Sequence, residues 1–177
     1  MKLSLILALL LSFNALAQFR LPTNELGQVQ YQEVVRIKDS KQTARQIMAQ
    51  ARSWAETHYA DNEYTEQQVD AENNILFIRT ASQLEGQLIR YTLTIEPKYG
   101  RYRATITDMI AANGVINVPV RATPGTVSEM ERASDSKTPN RKLIEQTVQQ
   151  QTAVYRQLDK TCRDTLASLK QALNELR

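Results

Sequence analysis

A single cysteine, Cys162, and a single histidine, His58, set the first limits on this chain of 177 residues. One cysteine permits no intramolecular disulfide, so the fold must hold by packing. At its position among helix-spaced apolar residues it reads as a small buried side chain. One histidine and one distant cysteine fall short of the three or four N and S ligands of a zinc site, so no metal is expected. Glycine is also sparse. The five glycines stand singly at positions 27, 86, 100, 114 and 125, which excludes a phosphate loop or a dinucleotide fingerprint, and no cofactor is expected. An excess of one charge is lacking too. Lys and Arg number 22 against 19 Asp and Glu, a formal net charge of +3, far from the basic surplus of a nucleic-acid binder.

What is present begins at the N-terminus. Lys2 is a positive n-region, Leu3 to Leu11 is apolar except for one Ser, and Ala15-Leu16-Ala17 is a small-x-small cleavage site. Met1 to Ala17 therefore reads as a secretory signal peptide cleaved after Ala17, with export to the periplasm or beyond the cell as the consequence. Spanning the hydrocarbon core takes about 20 apolar residues, and this run stops sooner, at Asn14, so no membrane anchor is expected after cleavage. What remains is the length of one domain with an appendage.

Residues 18–28, with Pro22 and Gly27, read as a lead-in. Val29, Tyr31, Val35 and Ile37 then share one parity while Gln30, Gln32, Arg36 and Lys38 share the other, which is the period of a half-buried strand. Asp39 or Ser40 offers a helix cap. Ala44, Ile47, Met48, Ala51, Trp54 and Ala55 follow at three- and four-residue spacing, predicting an amphipathic helix to about Tyr59. Strands are predicted at Glu66–Asp70, Ile75–Thr80, Leu88–Glu96 and Arg101–Met109, with turns at Asn73-Asn74 and at Pro97 to Gly100. Ile89, Tyr91, Leu93, Ile95, Tyr102, Ala104 and Ile106 make one apolar face, with Tyr99 exposed on the turn. The opposite face is polar and Thr-rich, as in an antiparallel sheet covered by helices on one side only.

Residues 29–110 thus hold the sheet and first helix, and 111–138 an irregular connection with a short strand at Val115–Val120 and a helical turn at Val127–Arg132. Residues 139–177 read as one long helix, with Thr138 as cap and Pro139 in its first turn. Its seam is Ile144, Val148, Tyr155, Leu158, Cys162, Leu166, Leu169, Leu173 and Leu176. Such a helix would reach ~57 Å, against a radius of gyration of about 14 Å for a compact domain. It must kink and fold back, or dock by one half while the other projects as a two-stranded coil.

The segments Leu21-Pro22, Gly27, Val29, Tyr31 and Val34-Val35, then Trp54, Tyr91-Thr92-Leu93-Thr94-Ile95, Gly100-Arg101-Tyr102-Arg103 and Thr107-Asp108 resemble a family of secreted bacterial proteins of unknown function. Its central domain is described as having the fold of the TATA-box-binding protein (TBP). The likeness covers roughly Leu21 to Ala111, and the chain departs from it at Asn73, Asn74 and Ile75, where glycines are expected. It implies an α+β class, one TBP-like repeat in the order β-α-β-β-β-β-α, with an antiparallel sheet, helices on one face and a long C-terminal helix. No activity, cofactor or catalytic residue comes with it.

DNA-bending sheets wedge apolar side chains into the minor groove. Here Phe13 falls in the signal, Phe19 in the lead-in and Phe77 on an interior-looking strand, so no nucleic-acid partner is expected. His58, one turn after Trp54, reads as an imidazole packed on the indole near the helix C-terminus rather than a catalytic base. Glu33, Glu96 and Asp108 read as cross-strand partners of Arg90 or Arg101. Catalytic residues are not assigned. The candidate site is a surface: Arg36, Lys38, Arg90, Arg101 and Arg103 among Thr92, Thr94, Thr105 and Thr107 on the open sheet face. Arginine forks suit carboxylate, sulfate or phosphate groups. The expected function is an exported, non-enzymatic binding or assembly module whose partner is an envelope protein or an anionic glycan or lipid. The alternatives are a structural homodimer through the terminal helix and, more distantly, a carboxylate hydrolase. Expressed in a bacterium with an intact export pathway, the chain is expected to be recovered outside the cytoplasm with Gln18 as its first residue, as read by N-terminal sequencing.

Overall fold

The structure, a computed structural model, describes residues 19–113, 116–134 and 140–175. The signal Met1–Ala17, Val115 at the start of the short strand, the Thr138 cap with Pro139, and Leu176 lie outside the described residues. Within them the order is β1 (Tyr31–Arg36), α1 (Ala44–His58), β2 (Glu66–Asp70), β3 (Ile75–Leu84), β4 (Gln87–Lys98), β5 (Arg101–Asn113), β6 (Ile116–Pro119), α2 (Val127–Ala133) and α3 (Arg141–Glu175). One antiparallel sheet runs β1-β5-β4-β3-β2, and β6 extends it alongside β5.

Alternation sets the sheet's two faces. Val29, Tyr31, Val35 and Ile37 are buried, while Gln32, Val34 and Arg36 are exposed. Leu76 and Ile78 on β3 and Leu93 and Ile95 on β4 face each other in the β3–β4 register and are fully buried. Two two-residue turns join the three longest strands. At Glu85-Gly86 both residues have positive φ, 47° and 82°, the form that suits the right-handed twist of a hairpin. Strand β3 thus runs to Leu84, beyond the Thr80 end that the sequence predicts. At Tyr99-Gly100, Gly100 has φ 65°, and a Cβ there would lie 2.7 Å from the Ser40 carbonyl oxygen, so both backbone and neighbour require glycine. Pro97 and Lys98, read as turn residues, instead belong to β4, opposite Tyr102 and Arg101.

Helix α1 begins at Thr43, not at Asp39 or Ser40. Thr43 and Gln46 form a reciprocal capping box: the Gln46 N–H donates to Thr43 Oγ1 at 3.3 Å and the Thr43 N–H to Gln46 Oε1 at 2.8 Å. Asp39 spends its side chain on a local turn, accepting the Lys41 N–H at 3.1 Å. The buried stripe of α1 is Ile47, Met48, Ala51, Trp54 and Ala55, packed on β3, β4 and β5.

Helix α3 runs unbroken for 35 residues, a length of about 52 Å. It does not fold back. Val154, Leu158, Cys162, Thr165, Leu166, Leu169 and Leu173 are buried against α1, β1 and β3, whereas the first half from Arg141 packs on α2 and leaves Leu143 59% exposed. The seam that a coiled coil would need is therefore used inside the chain over the C-terminal half. At the start of α3, Asn140 Oδ1 takes the Leu143 N–H at 3.3 Å. Polar ties fix the docked half: Tyr31 donates to Asp159 Oδ1 at 2.9 Å, Trp54 Nε1 to Ser168 Oγ at 3.1 Å, and Lys170 to Glu33 at 2.8 Å. Burial opposes the charged form of Asp159, but hydrogen bonds from Arg163 and Tyr31 outweigh it and hold the carboxyl below its usual pKa. Cys162 is fully enclosed, and burial pushes its thiol up to about 12, so it sits as a small apolar side chain.

Leu169 is fully buried in this interface. Leu169→Ala is expected to lower unfolding free energy by about 2–5 kcal/mol, measured by urea denaturation, with near-native secondary structure at zero denaturant.

Candidate binding face of the sheet

Helices α1 and α3 cover the same side of the sheet, and the side chains of the opposite parity remain outside that core. The register arranges them in cross-strand rows. At the β4–β5 hairpin end, Arg36 lies opposite Arg101 on β5, which lies opposite Lys98 on β4. In the next row Val34, Arg103 and Glu96 stand side by side. Then come Gln32, Thr105, Thr94, Phe77 and Gln68, followed by Thr107, Thr92, Arg79 and Glu66. Arg90, opposite Ala81 and Ile110, closes the far end.

The nine candidate residues are not one site. Arg90 and Lys98 are eight positions apart on β4, about 26 Å at the rise of a strand, so Arg90 cannot share a small ligand with Arg101. Lys38 lies beyond the paired residues of the face: β1 ends at Arg36, and the Lys38 N–H donates to Asn174 Oδ1 of α3 at 2.9 Å. The chain turns there to reach α1, so Lys38 has no cross-strand partner in the register. Arg103 is already paired, its Nε donating to Glu96 Oε1 at 3.0 Å and a second guanidinium N–H to Oε2, which pushes its pKa up. Arg36 and Arg101 have no ion pair among the described residues. Thr92, Thr94, Thr105 and Thr107 form the half-buried middle of the face.

Three residues missed in the sequence reading belong to this face. Lys98 was placed in the turn. Arg79 and Phe77 share the odd parity of β3 with Ile75, a signal that was present but hidden by the apolar run of that strand. Phe77, expected inside, pairs with Thr94 and is half-buried on the open side, because Leu76 and Ile78 occupy the core.

The regular alternation of β5 breaks at Asp108. The β4–β5 register shifts between Arg90 and Thr92, leaving Asp108 and Met109 opposite Tyr91, and Asp108 takes φ 55°. This β-bulge turns out a carboxylate that strict alternation with Tyr102, Ala104 and Ile106 would bury, and sends Met109 into the core. Aspartate is among the few residues that enter the left-handed region at low cost.

His58 sits in the last turn of α1. Its ring stacks on Trp54 with centroids 4.7 Å apart and planes at 21°, and meets the Tyr59 ring edge-on. Its Nδ1 lies 3.5 Å from Ser168 Oγ, a hydroxyl that also accepts from Trp54 Nε1. Among the described residues no carboxylate bonds the imidazole, so no triad is assembled there. Burial lowers the His58 pKa, overriding the favourable helix terminus.

The sheet order, the one-sided helices and the long α3 define an α+β domain of TBP-like fold. The chain is similar to the crystal structure of a TBP-like protein from Parabacteroides distasonis, at TM-score 0.53 and 14% identity over 84% of this chain and 96% of that one. It is likewise similar to a DUF4468 family protein from Bacteroides ovatus, at TM-score 0.55 and 11% identity over 84% of this chain and 90% of that one. At such identities the likeness shows the fold alone. No protein-family model matches the chain, and no curated protein matches it.

Because the folded pKa of His58 lies below its usual 6.5, the unfolded state binds more protons through the window between the two values, and stability rises with pH there. This contribution is complete above about 6.5 and is lost as pH falls toward the folded value. Thermal midpoints measured on either side of pH 6.5 are expected to fall on acidification more for the wild type than for His58→Gln.

Proposed function

We propose that this chain is an exported, non-enzymatic binding module whose uncovered sheet face engages anionic groups of the cell envelope. The observation that carries the reading is the row Arg36, Arg101 and Lys98, three cations on adjacent strands with the nearest face carboxylate, Glu96, already committed to Arg103. Like charges directly opposite one another in a sheet are destabilising. An anion placed over the row relieves that cost and receives charge-assisted hydrogen bonds from two guanidinium forks. Beside it Val34, 59% exposed, Lys98 and Arg101 help line a hollow of about 190 Å³, room for a phosphate or carboxylate rather than a whole metabolite.

Export rests on the signal-like Met1–Ala17 segment and directs the choice of partner to phosphate or carboxylate groups carried by lipid or glycan. Nucleic acid fits poorly. Glu96 and Asp108 stand among the cations, and Phe77 is the face's one phenylalanine wedge among the described residues, with most of its surface already covered.

Full mature protein is expected to sediment with vesicles containing phosphatidylglycerol, or to be retained on immobilised polygalacturonate, and to be released as salt rises. Arg36→Glu with Arg101→Glu is expected to weaken retention at least about tenfold while leaving the thermal midpoint near wild type. Equal retention of the variant, or no binding to either material, would overturn the proposal.

A further inference from the structure

At the end of the face remote from the hairpin, a second hollow of about 450 Å³ opens around Tyr64, Arg79, Arg90 and the bulged Asp108. Its floor is Ala81, a small side chain only 2% exposed, so the cations around it rise above a shallow depression. Arg79 and Arg90 lie on neighbouring strands in diagonal positions, since Arg79 pairs with Thr92 and Arg90 with Ala81. Neither makes an ion pair among the described residues, although carboxylates of Glu63, Glu66 and Asp108 line the same hollow. Two guanidinium forks, one of them with Glu66 directly opposite on β2, and three acceptor-only carboxylates therefore share one small space.

Tyr64 supplies an aromatic wall. Its ring is 49% exposed, but its backbone is held on both sides. The Tyr64 N–H donates to Asn62 Oδ1 at 3.0 Å, Asn62 Nδ2 donates to the Ala81 carbonyl at 2.8 Å, and the Thr65 and Thr80 hydroxyls meet at 2.8 Å. An exposed aromatic on an anchored loop is a pre-organised contact, since little backbone freedom is lost on binding. The opposite wall is equally deliberate, because the bulge is what brings the Asp108 carboxylate to this side of the sheet.

From this arrangement we infer that the hollow is a subsite for an acidic pyranose, a hexuronate unit of a polysaccharide. The two guanidinium groups are planar forks, the donor type that suits a carboxylate. The three rim carboxylates can only accept hydrogen bonds, and sugar hydroxyls are the donors that satisfy them. The tyrosine ring packs on the apolar face of the sugar. A phosphate fits less well, because its second negative charge would face Glu63, Glu66 and Asp108. A neutral sugar offers the guanidinium pair only hydroxyl oxygens, weaker acceptors than a carboxylate. The inference rests on the reading of this face as a binding surface and adds the ligand class at the end that the hairpin row does not reach.

The test is titration of full mature protein with trigalacturonate, followed by backbone amide NMR shifts, with maltotriose and inorganic phosphate as comparison probes. Trigalacturonate is expected to shift amides of β3, β4 and the Tyr64 loop in a saturable way, and maltotriose and phosphate to bind at least about tenfold more weakly. Arg79→Gln with Arg90→Gln, and separately Tyr64→Ala, should each weaken trigalacturonate about tenfold or more. Both replace exposed side chains, and an unchanged thermal midpoint confirms folding. Arg36→Glu with Arg101→Glu should leave these shifts intact. If that hairpin variant abolishes them and the Arg79 and Arg90 variant does not, the subsite is overturned while the hairpin reading stands. Equal binding of maltotriose, or no shifts with trigalacturonate, also overturns it.

Discussion

The docking of the C-terminal half of α3 across one side of the sheet is the contact on which the rest of the molecule depends. Residues Val154 to Leu173 complete a core that α1 alone covers only in part, and Tyr31 reaching Asp159 locks the helix to β1 from the far end of the chain. With no disulfide available, this apolar seam does the work of a staple. It also decides which side of the sheet is left uncovered. Because α1 and α3 pack on the same side, the side chains of the other parity on β1, β3, β4 and β5, the buried Ala81 excepted, are available to solvent or to a ligand.

On that uncovered side the chain departs from regular geometry in a few places, and each departure moves a charge. The bulge at Asp108 turns a carboxylate outward, and the tight Tyr99-Gly100 turn lets Lys98 and Arg101 stand opposite each other. Like charges in register do not stabilise a sheet, and an acidic residue in the left-handed region does not either. Their placement at the two ends of one face, about 23 Å apart along β5, is the physical ground for treating that face as the working surface of the protein.

Much of the fold was legible because its signals are local. Alternation around Tyr31 and Val35, three-four spacing around Trp54, and the apolar-polar division of β4 each lie within a few residues. The stack of His58 on Trp54 follows from one helical turn, and the burial of Cys162 from its place in the α3 seam. The candidate face was legible only in outline. Thr92, Thr94 and Thr105 fall on it because parity holds through the centre of β4 and β5. Lys38 lies past the end of the strand, and Arg103 is bonded to Glu96, a pairing decided by cross-strand register. Phe77 and Arg79 were hidden in a strand whose apolar residues occupy both parities.

The sequence alone determined the order of elements, the residues of the core and the one-sided character of the sheet, because periodicity records which face of each element must leave water. Tertiary structure decided what periodicity does not encode: which strands are neighbours, where β5 gains its extra residue, and whether the last helix runs straight. Those depend on contacts between residues far apart in the chain, such as Tyr31 with Asp159 and Trp54 with Ser168. They turn a list of outward-facing cations into two separate ends of one face.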